Sequence, residues 1–205
     1  MKRVTAEELL PIILDGYRHG AFPMGDPEDG SLGFYTCDPR AVMPLEAGAL
    51  RISDSLRRRV KSGRFRISVD THFSDVIDRC AFDRSDTNRT WITPLLQKAY
   101  ALLHEAGHAH SVEAWRDGKL VGGLYGVAIG GAFFGESMFT RPRDGGTDAS
   151  KVCLVHLVER LRAKGFILLD CQYANAHTRS LGAVEMPVET YAAQLERAVA
   201  LSVSF

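Results

Sequence analysis

The sequence lacks any long apolar run. No stretch approaches the roughly 18 consecutive apolar residues that a membrane-spanning helix needs. The first ten residues, MKRVTAEELL, have neither the apolar segment nor the small-residue cleavage site of a secretory signal peptide. From these two absences we expect a cytoplasmic protein.

Closely spaced cysteines and net charge are also missing. Cys37, Cys80, Cys153 and Cys171 form no C-x-x-C pair, so the pattern indicates neither a zinc knuckle nor a disulfide framework, and reduced thiols are expected. The formal net charge is zero, and neither an internal repeat nor a low-complexity tract is present. With 205 residues, of which 45% are apolar, the chain can bury one core, or a core with a small appended lobe.

Positive charge is nevertheless concentrated in one segment. RISDSLRRRVKSGRFR, from Arg51 to Arg66, carries seven Arg or Lys residues against one acidic residue, Asp54. A solvated face and a phosphate-binding patch both fit such a run, and the run by itself leaves both interpretations open.

The N-terminal part predicts one helix followed by loops. TAEELLPIILDGYRHG begins with a capping box, in which Thr5 and Glu8 cap each other, and Gly20 is expected to end the helix. FPMGDPEDGSLGFYTCDPRAVMPL is rich in Pro, Gly and Asp and predicts loops and turns. We therefore expect a small lobe at 1–38 and a main domain at 39–205. The predicted inward face of the helix is Leu9, Ile12, Ile13 and Tyr17.

Periodicity in the remainder predicts an α+β, or mixed α/β, fold. FRISV and FILLDCQ fit strands, RDGK fits a hairpin turn between strands, and the segments HFSDVIDRCAF and VETYAAQLERAVALS fit helices. Further helices are expected from Thr93 to Gly107 and from Ser150 to Gly165. Strands and helices in this order predict helices packed around a mixed sheet.

HEAGHAHS contains the H-E-x-x-H pattern of zinc proteases. Such a site needs both histidines on one continuous helix, so that two imidazoles face one metal ion. From His108 the apolar pattern alternates as in a strand, so the helix is expected to stop at Gly107 and separate His104 from His108 and His110. We therefore predict no metal site and place His104 near the helix C-terminus, where an imidazolium interacts favourably with the helix dipole.

Several long motifs match one bacterial enzyme family. They are TWITPLLQKAYALLHEAGHAHSVEAWRDGKLVGGLYGVAIGGAFFGESMF, ASK and LLDCQYANAHTRSLGA, with AFP and DPRAVMPL nearer the N-terminus. On these motifs, which extend from about Gly16 to Tyr191, the chain resembles the leucyl/phenylalanyl-tRNA–protein transferases. In that family HExGHAHS belongs to the framework and implies no metal.

The resemblance implies an activity and a fold. The activity is transfer of Leu or Phe, with Met as a further donor, from charged tRNA to the α-amino group of a protein that begins with Arg or Lys. This modification marks the acceptor for N-end-rule degradation. The implied fold is GNAT-like, related to acetyltransferases, with the aminoacyl-adenosine end of tRNA bound where those enzymes bind acetyl-CoA. No cofactor and no membrane partner are implied, and a monomer is expected.

The resemblance also implies roles for individual residues. Asp170 and Gln172 of DCQ resemble the catalytic pair, and Glu136 of GESMF resembles the residue that binds the aminoacyl amine or the cationic N-terminus of the acceptor. Alternation along a strand points Asp170 and Gln172 to the same side, and Asp170 is expected to orient the Gln172 amide. Without the surrounding match, the same side chains would be interpreted as solvent-exposed polar groups or as helix caps.

The remaining implied sites bind the donor. Trp91 resembles a residue beside the terminal adenosine of the tRNA, against which an indole can stack. Arg57, Arg58, Arg59 and Lys61 match a basic patch for the tRNA acceptor stem. The candidates for an apolar pocket that selects Leu and Phe, all of which also fit an ordinary core, are Leu124, Phe133, Met138, Leu154, Leu157 and Leu161.

The chain departs from the family pattern where stacking residues are expected. The family commonly carries tryptophan after FP and a tryptophan pair before SPDPR, where this chain has Met24 and Phe34-Tyr35. The stacking surface near the adenosine is therefore expected to be weaker. Two other functions remain open. One is CoA-dependent N-acetyl transfer, although no Q/R-x-x-G-x-G/A loop precedes the Ser150 helix, and the other is a noncatalytic tRNA-binding module.

Overall fold

A computed structural model describes residues 4–82 and 90–205 of the chain, which form a mixed α+β fold. The helices are α1 (Ala6–Arg18), α2 (Asp54–Lys61), α3 (Phe73–Phe82), α4 (Pro94–Glu105), α5 (Ala149–Ala163), α6 (Ala176–Ser180) and α7 (Val188–Val199). The strands are β1 (Phe22–Gly25), β2 (Leu32–Tyr35), β3 (Arg40–Val42), β4 (Arg66–Val69), β5 (Ala109–Arg116), β6 (Lys119–Ile129), β7 (Ala132–Thr140), β8 (Leu168–Gln172) and β9 (Val184–Met186).

The main sheet has the strand order β4-β5-β6-β7-β8-β3-β9. Its neighbours are antiparallel except β7 and β8, which are parallel and are joined through α5. A parallel pair needs a crossover connection of this kind, and a helix usually supplies it. The mixed sheet predicted from the sequence is confirmed.

The sheet separates two apolar clusters. Successive residues of a strand face opposite sides, so Phe134 and Leu168 join one cluster while Phe133 and Leu169 join the other. The first cluster includes α1, α3, α4 and α7, and the second includes α2 and α5. Both faces of the central strands are therefore covered by helices.

Local predictions for the N-terminal part are partly confirmed. The capping box of α1 is present, but Ile12 is 48% exposed and does not belong to the buried face. The segment predicted as loop contains the β1–β2 hairpin and β3, because its Pro, Gly and Asp residues mark the connections and not the short strands between them. The helix α1 packs against α4, and the division into 1–38 and 39–205 stays a prediction.

The H-E-x-x-H pattern is divided between helix α4 and the turn that follows it, and the helix ends before His108 as predicted. The helix α4 ends at Glu105, Gly107 has a φ of 78°, and β5 begins at Ala109. The His104 ring stacks on Phe73, with Nδ1 2.8 Å from the Ala109 carbonyl oxygen. Within residues 4–82 and 90–205, no group of three His, Cys, Asp or Glu side chains is placed to hold a metal ion. None of the helices in those ranges is long and apolar enough to cross a membrane.

Candidate active site

The candidate site lies where β7 and β8 diverge. Their parallel pairing covers only Ala132–Phe134 with Leu168–Asp170. At the next residues β8 carries a bulge opposite β3, and Gln172 has a φ of 54°, which departs from extended strand geometry. The gap that opens between the two strands is lined by Glu136 and Gln172.

An apolar cavity of about 180 Å³ lies on one side of this gap. Four of the six predicted pocket residues line it, together with Met43 and Leu169, which were not predicted. The predicted residues that line the cavity are Leu124, Met138, Leu154 and Leu157. Polar side chains at its edge are Glu136, Ser137, Gln172, Asn175, His177 and Thr178.

Phe133 and Leu161 do not line this cavity, which corrects the predicted pocket. Both side chains are fully buried in the core cluster on the α5 face of the sheet. The Phe133 ring packs against Phe205, with ring centroids 5.3 Å apart. Leu161 lies on the same face of α5 as Leu154 and Leu157, but about one turn further along the helix.

A second cavity of about 200 Å³ lies beside the first. Trp91, Met24 and Tyr173 line the second cavity but not the first. The Tyr173 ring packs edge to face on the Phe22 ring, with ring centroids 5.7 Å apart. The two cavities share part of their lining, so a ligand can extend from one into the other. The shared residues are Glu136, Cys171, Gln172 and Asn175.

Glu136 and Gln172 are hydrogen-bonded at the junction of the cavities. Gln172 Nε2 donates to Glu136 Oε1 at 3.1 Å, and the Tyr100 hydroxyl donates to Glu136 Oε2 at 3.1 Å. The Tyr17 hydroxyl lies 2.6 Å from that of Tyr100. Burial among these groups raises the pKa of Glu136 to about 7, although the side chain keeps partial access to the cavities.

Asp170 is sealed beneath the cavities and does not reach them. Its side chain is 0% exposed and forms a two-pronged ion pair with Arg40, whose Nε lies 2.9 Å from Oδ1 and Nη2 2.6 Å from Oδ2. Tyr191 donates its hydroxyl to Oδ2 at 2.7 Å. Arg40 lies between aromatic rings, 4.7 Å from the Tyr191 centroid and 4.9 Å from that of Phe22.

The expected contact between Asp170 and the Gln172 amide is therefore not formed. Asp170 Oδ1 accepts the backbone N–H of Gln172 at 2.9 Å, while the side-chain amide turns to Glu136. The bulge at the end of β8 interrupts regular alternation, which is why the strand argument failed at this residue. Asp170 thus holds the Gln172 backbone.

Sequence reasoning missed the supporting residues of the site. Tyr17 was assigned to the inward face of the first helix, Tyr100 falls within the helix predicted from Thr93 to Gly107, and their buried hydroxyls gave no signal in the periodicity. Arg40 lies in the matched motif DPRAVMPL, and an arginine next to the apolar residues AVM was the one available sign of a buried ion pair.

The basic patch lies on α2, away from the two cavities. Arg57, Arg58 and Lys61 are exposed. Arg59 is held by the protein, because its Nη1 donates to the Thr147 carbonyl at 2.7 Å and its Nε lies 3.4 Å from Asp148. A shallow depression nearby is lined by Ser55, Arg58, Arg59, Ser62 and Arg64.

Comparison with known proteins decides the family. The family model described as leucyl/phenylalanyl-tRNA protein transferase matches residues 42–196. The chain belongs to this family.

Curated relatives named leucyl/phenylalanyl-tRNA–protein transferase are similar over most of the transferase chain. One from Aromatoleum aromaticum is 51% identical over 92% of this chain and 77% of its own length. One from Rubrobacter xylanophilus is 48% identical over 99% of both chains. One from Salinibacter ruber is 47% identical over 96% of this chain and 83% of its own length.

The solved structures to which this transferase family member is similar are much more distant from it. A ribosomal-protein-alanine N-acetyltransferase from Brucella melitensis is 15% identical with a TM-score of 0.41, over 57% of this chain and 87% of that one. The C-terminal domain of a putative lysylphosphatidylglycerol synthetase from Agrobacterium fabrum is 13% identical with a TM-score of 0.45, over 91% of this chain and 61% of that one. Because the sequence identities and TM-scores are this low, no residue role is transferred from these structures to this chain.

Proposed function

We propose that this chain transfers Leu or Phe from aminoacyl-tRNA to the α-amino group of an acceptor protein that begins with Arg or Lys. One observation carries the proposal, namely two adjoining cavities that meet at Glu136 and Gln172 in a chain of this family. An aminoacyl ester is already activated, and an α-amine with a pKa of about 7.7–8.0 is partly neutral at pH 7. The reaction therefore requires no covalent enzyme intermediate and no cofactor, and positioning is the main task of the protein.

The apolar cavity is suited to the side chain of the transferred amino acid. Its volume of about 180 Å³ and its lining by Leu124, Leu154, Leu157 and Met138 suit a branched or aromatic side chain. An apolar cavity of about 150 Å³ accepts benzene in another protein. Each methylene contributes only about 1–3 kcal/mol to discrimination, so such a cavity favours Leu and Phe over small residues without strongly separating them from Met.

The second cavity is suited to the terminal adenosine. Trp91 and the half-exposed Tyr173 offer aromatic faces, and a base stacked on an aromatic side chain gains about 1–3 kcal/mol. With the base there and the amino acid in the first cavity, the ester lies between them, beside Glu136 and Gln172. Tyr173 supplies an aromatic face in a cavity where Met24 stands in place of the family's tryptophan.

Gln172 and Glu136 then bind the attacking amine of the acceptor. Because Gln172 Nε2 donates to Glu136, its carbonyl oxygen remains to accept a hydrogen bond from the acceptor amine. The Glu136 carboxylate attracts the same amine. Asp170 acts through the Gln172 backbone N–H and is therefore a positioning residue in this proposal.

A panel of transfer reactions tests this function. Purified protein is incubated with Leu-tRNA, Phe-tRNA, Met-tRNA and Ala-tRNA, each with peptides that begin with Arg, Lys or Ala, and the peptide mass is measured. We expect Leu and Phe to be added to the Arg and Lys peptides and Ala to remain on its tRNA. Absence of transfer from both Leu-tRNA and Phe-tRNA to every peptide would refute the proposal.

The α2 patch is proposed to contact tRNA phosphates. Replacing Arg57 and Arg58 with Ala is expected to weaken tRNA binding and to lower the slope of log K against log salt by about 2, since each phosphate contact contributes about 0.9. Arg59→Ala serves as the matched comparison, with a smaller expected change because Asp148 and Thr147 already engage its guanidinium. Binding titrations at several salt concentrations measure both. A slope unaltered in the double variant would exclude Arg57 and Arg58 as phosphate contacts.

The location and assembly of the protein remain proposals as well. We propose that it works in the cytoplasm as a monomer, with a GNAT-like main domain at 39–205. Modification of the acceptor N-terminus would then mark that protein for degradation.

A further inference from the structure

Glu136 is placed where it can exchange a proton with the reactants as well as attract a cation. We infer that Glu136 takes the proton from the attacking amine and returns it to the leaving ribose oxygen, and that Tyr100 is its positioning residue. The inference rests on the proposed aminoacyl transfer and gives that reaction a route for its proton.

The carboxylate is held from two sides. Gln172 Nε2 donates to Oε1 and the Tyr100 hydroxyl donates to Oε2, both at 3.1 Å. Since the Tyr100 proton points to the carboxylate, the Tyr17 hydroxyl at 2.6 Å donates to Tyr100. A carboxylate has about four lone-pair sites, so two remain after these bonds and can accept from a substrate amine.

The other groups at the junction are poor proton acceptors. Of the described residues that line both cavities, Gln172 and Asn175 carry amides, which are very weak bases. Burial raises the pKa of Cys171 to about 12, so its sulfur stays protonated near pH 7. Glu136 is the one carboxylate in that shared set.

Glu136 accepts one proton during the reaction and gives the same proton back. The neutral amine nitrogen attacks the ester carbonyl carbon, an N–C bond forms, and the nitrogen gives one proton to the Glu136 carboxylate. The tetrahedral intermediate then breaks its bond to the ribose oxygen, which leaves with its electron pair and takes that proton from Glu136. The carboxylate is ionised again, and the products are the extended protein and deacylated tRNA.

Several groups around Glu136 set its protonation. Burial raises its pKa most, the nearby hydroxyls of Tyr17 and Tyr100 lower it, the charge of Asp170 raises it, and Arg40 lowers it, with a result of about 7. The reactive carboxylate form is therefore lost as the pH falls through about 7. A proton acceptor works best with a pKa near the operating pH.

The pH dependence of transfer tests the inference. Rates of Leu transfer to an Arg peptide are measured from about pH 5.5 to about pH 9 for the wild type and Glu136→Gln, with kcat and KM determined separately. We expect the variant to lose about 100-fold in kcat at about pH 8, in line with general acid–base catalysis. The ratio of wild-type to variant rate should shrink by about tenfold for each pH unit below 7, because the wild-type carboxylate then becomes protonated.

Tyr100→Phe supplies a second, independent readout. It removes a hydrogen bond that favours the ionised form, so the pKa of Glu136 rises and the acid limb of the rate profile moves to higher pH. The loss of rate should therefore be larger at about pH 6.5 than at about pH 9, where the carboxylate is ionised in both proteins. Glu159→Gln neutralises an exposed carboxylate on α5 outside both cavities and should leave the profile unchanged.

The outcomes separate this inference from the proposed function. If the wild type transfers no amino acid, both fail. If the wild type is active but the rate ratio for Glu136→Gln does not change with pH, the inference alone is overturned. It is equally overturned if Glu136→Gln changes only KM and leaves kcat unaltered, since Glu136 would then be a cation-binding group.

Discussion

Asp170→Ala is expected to lower the free energy of unfolding by about 3–5 kcal/mol, because it leaves the buried Arg40 guanidinium without its carboxylate. Arg40 and Asp170 are 1% and 0% exposed, so water cannot replace the lost partner. The change also removes the acceptors of the Gln172 backbone N–H and the Tyr191 hydroxyl. Urea denaturation of the purified variant measures the loss.

A double variant distinguishes stability from positioning. Arg40→Met with Asp170→Leu replaces the ion pair by apolar side chains, and such replacements are often neutral or stabilising. Stability should therefore be restored in part, since the Gln172 backbone N–H and the Tyr191 hydroxyl still lack their acceptor, and transfer should stay low because nothing holds that N–H. A free energy of unfolding for Asp170→Ala within about 1 kcal/mol of the wild type would contradict this account of the buried pair.

Gln172→Gly is expected to reduce kcat for transfer by about 100-fold, the cost typical of a misplaced reacting group. Gln172 has a φ of 54°, a left-handed conformation that costs other residues about 1–2 kcal/mol and glycine almost nothing. Removing the amide should therefore leave the stability within about 1 kcal/mol of the wild type. Stability and transfer rate are measured on the same preparation.

The matched control for this change is Gln172→Ala. It removes the same amide but retains the strained backbone, so it should show the same loss of transfer with a lower stability than the glycine variant. Wild-type transfer rates in both variants would show that the Gln172 side chain has no part in the reaction.

Much of the fold could be predicted because burial follows local spacing. The apolar residues of α3, Phe73, Val76, Ile77 and Cys80, are all buried as their helical period predicts. Asp117 and Gly118 both have positive φ, as the hairpin predicted at RDGK requires. The short strands β1 to β3 were missed, because three or four residues are too few to establish a period.

The geometry of the site could be predicted only in part. The family resemblance brought attention to Glu136, Gln172 and Asp170, but not to their contacts. Glu136 and Gln172 are 36 residues apart, and their hydrogen bond depends on where β7 and β8 diverge, which no local pattern encodes. The ion pair between Arg40 and Asp170 spans 130 residues and depends on the pairing of β3 with β8.

The choice of acyl donor at this cleft distinguishes aminoacyl transfer from acetyl transfer. A peptide that begins with Arg is incubated with the wild-type protein and either Leu-tRNA or acetyl-CoA, and its mass is followed by mass spectrometry. We expect the peptide to gain one leucine residue in the first reaction and to remain unmodified in the second. An acetylated peptide, or a Leu-tRNA reaction that releases free leucine and leaves the peptide unchanged, would contradict this expectation.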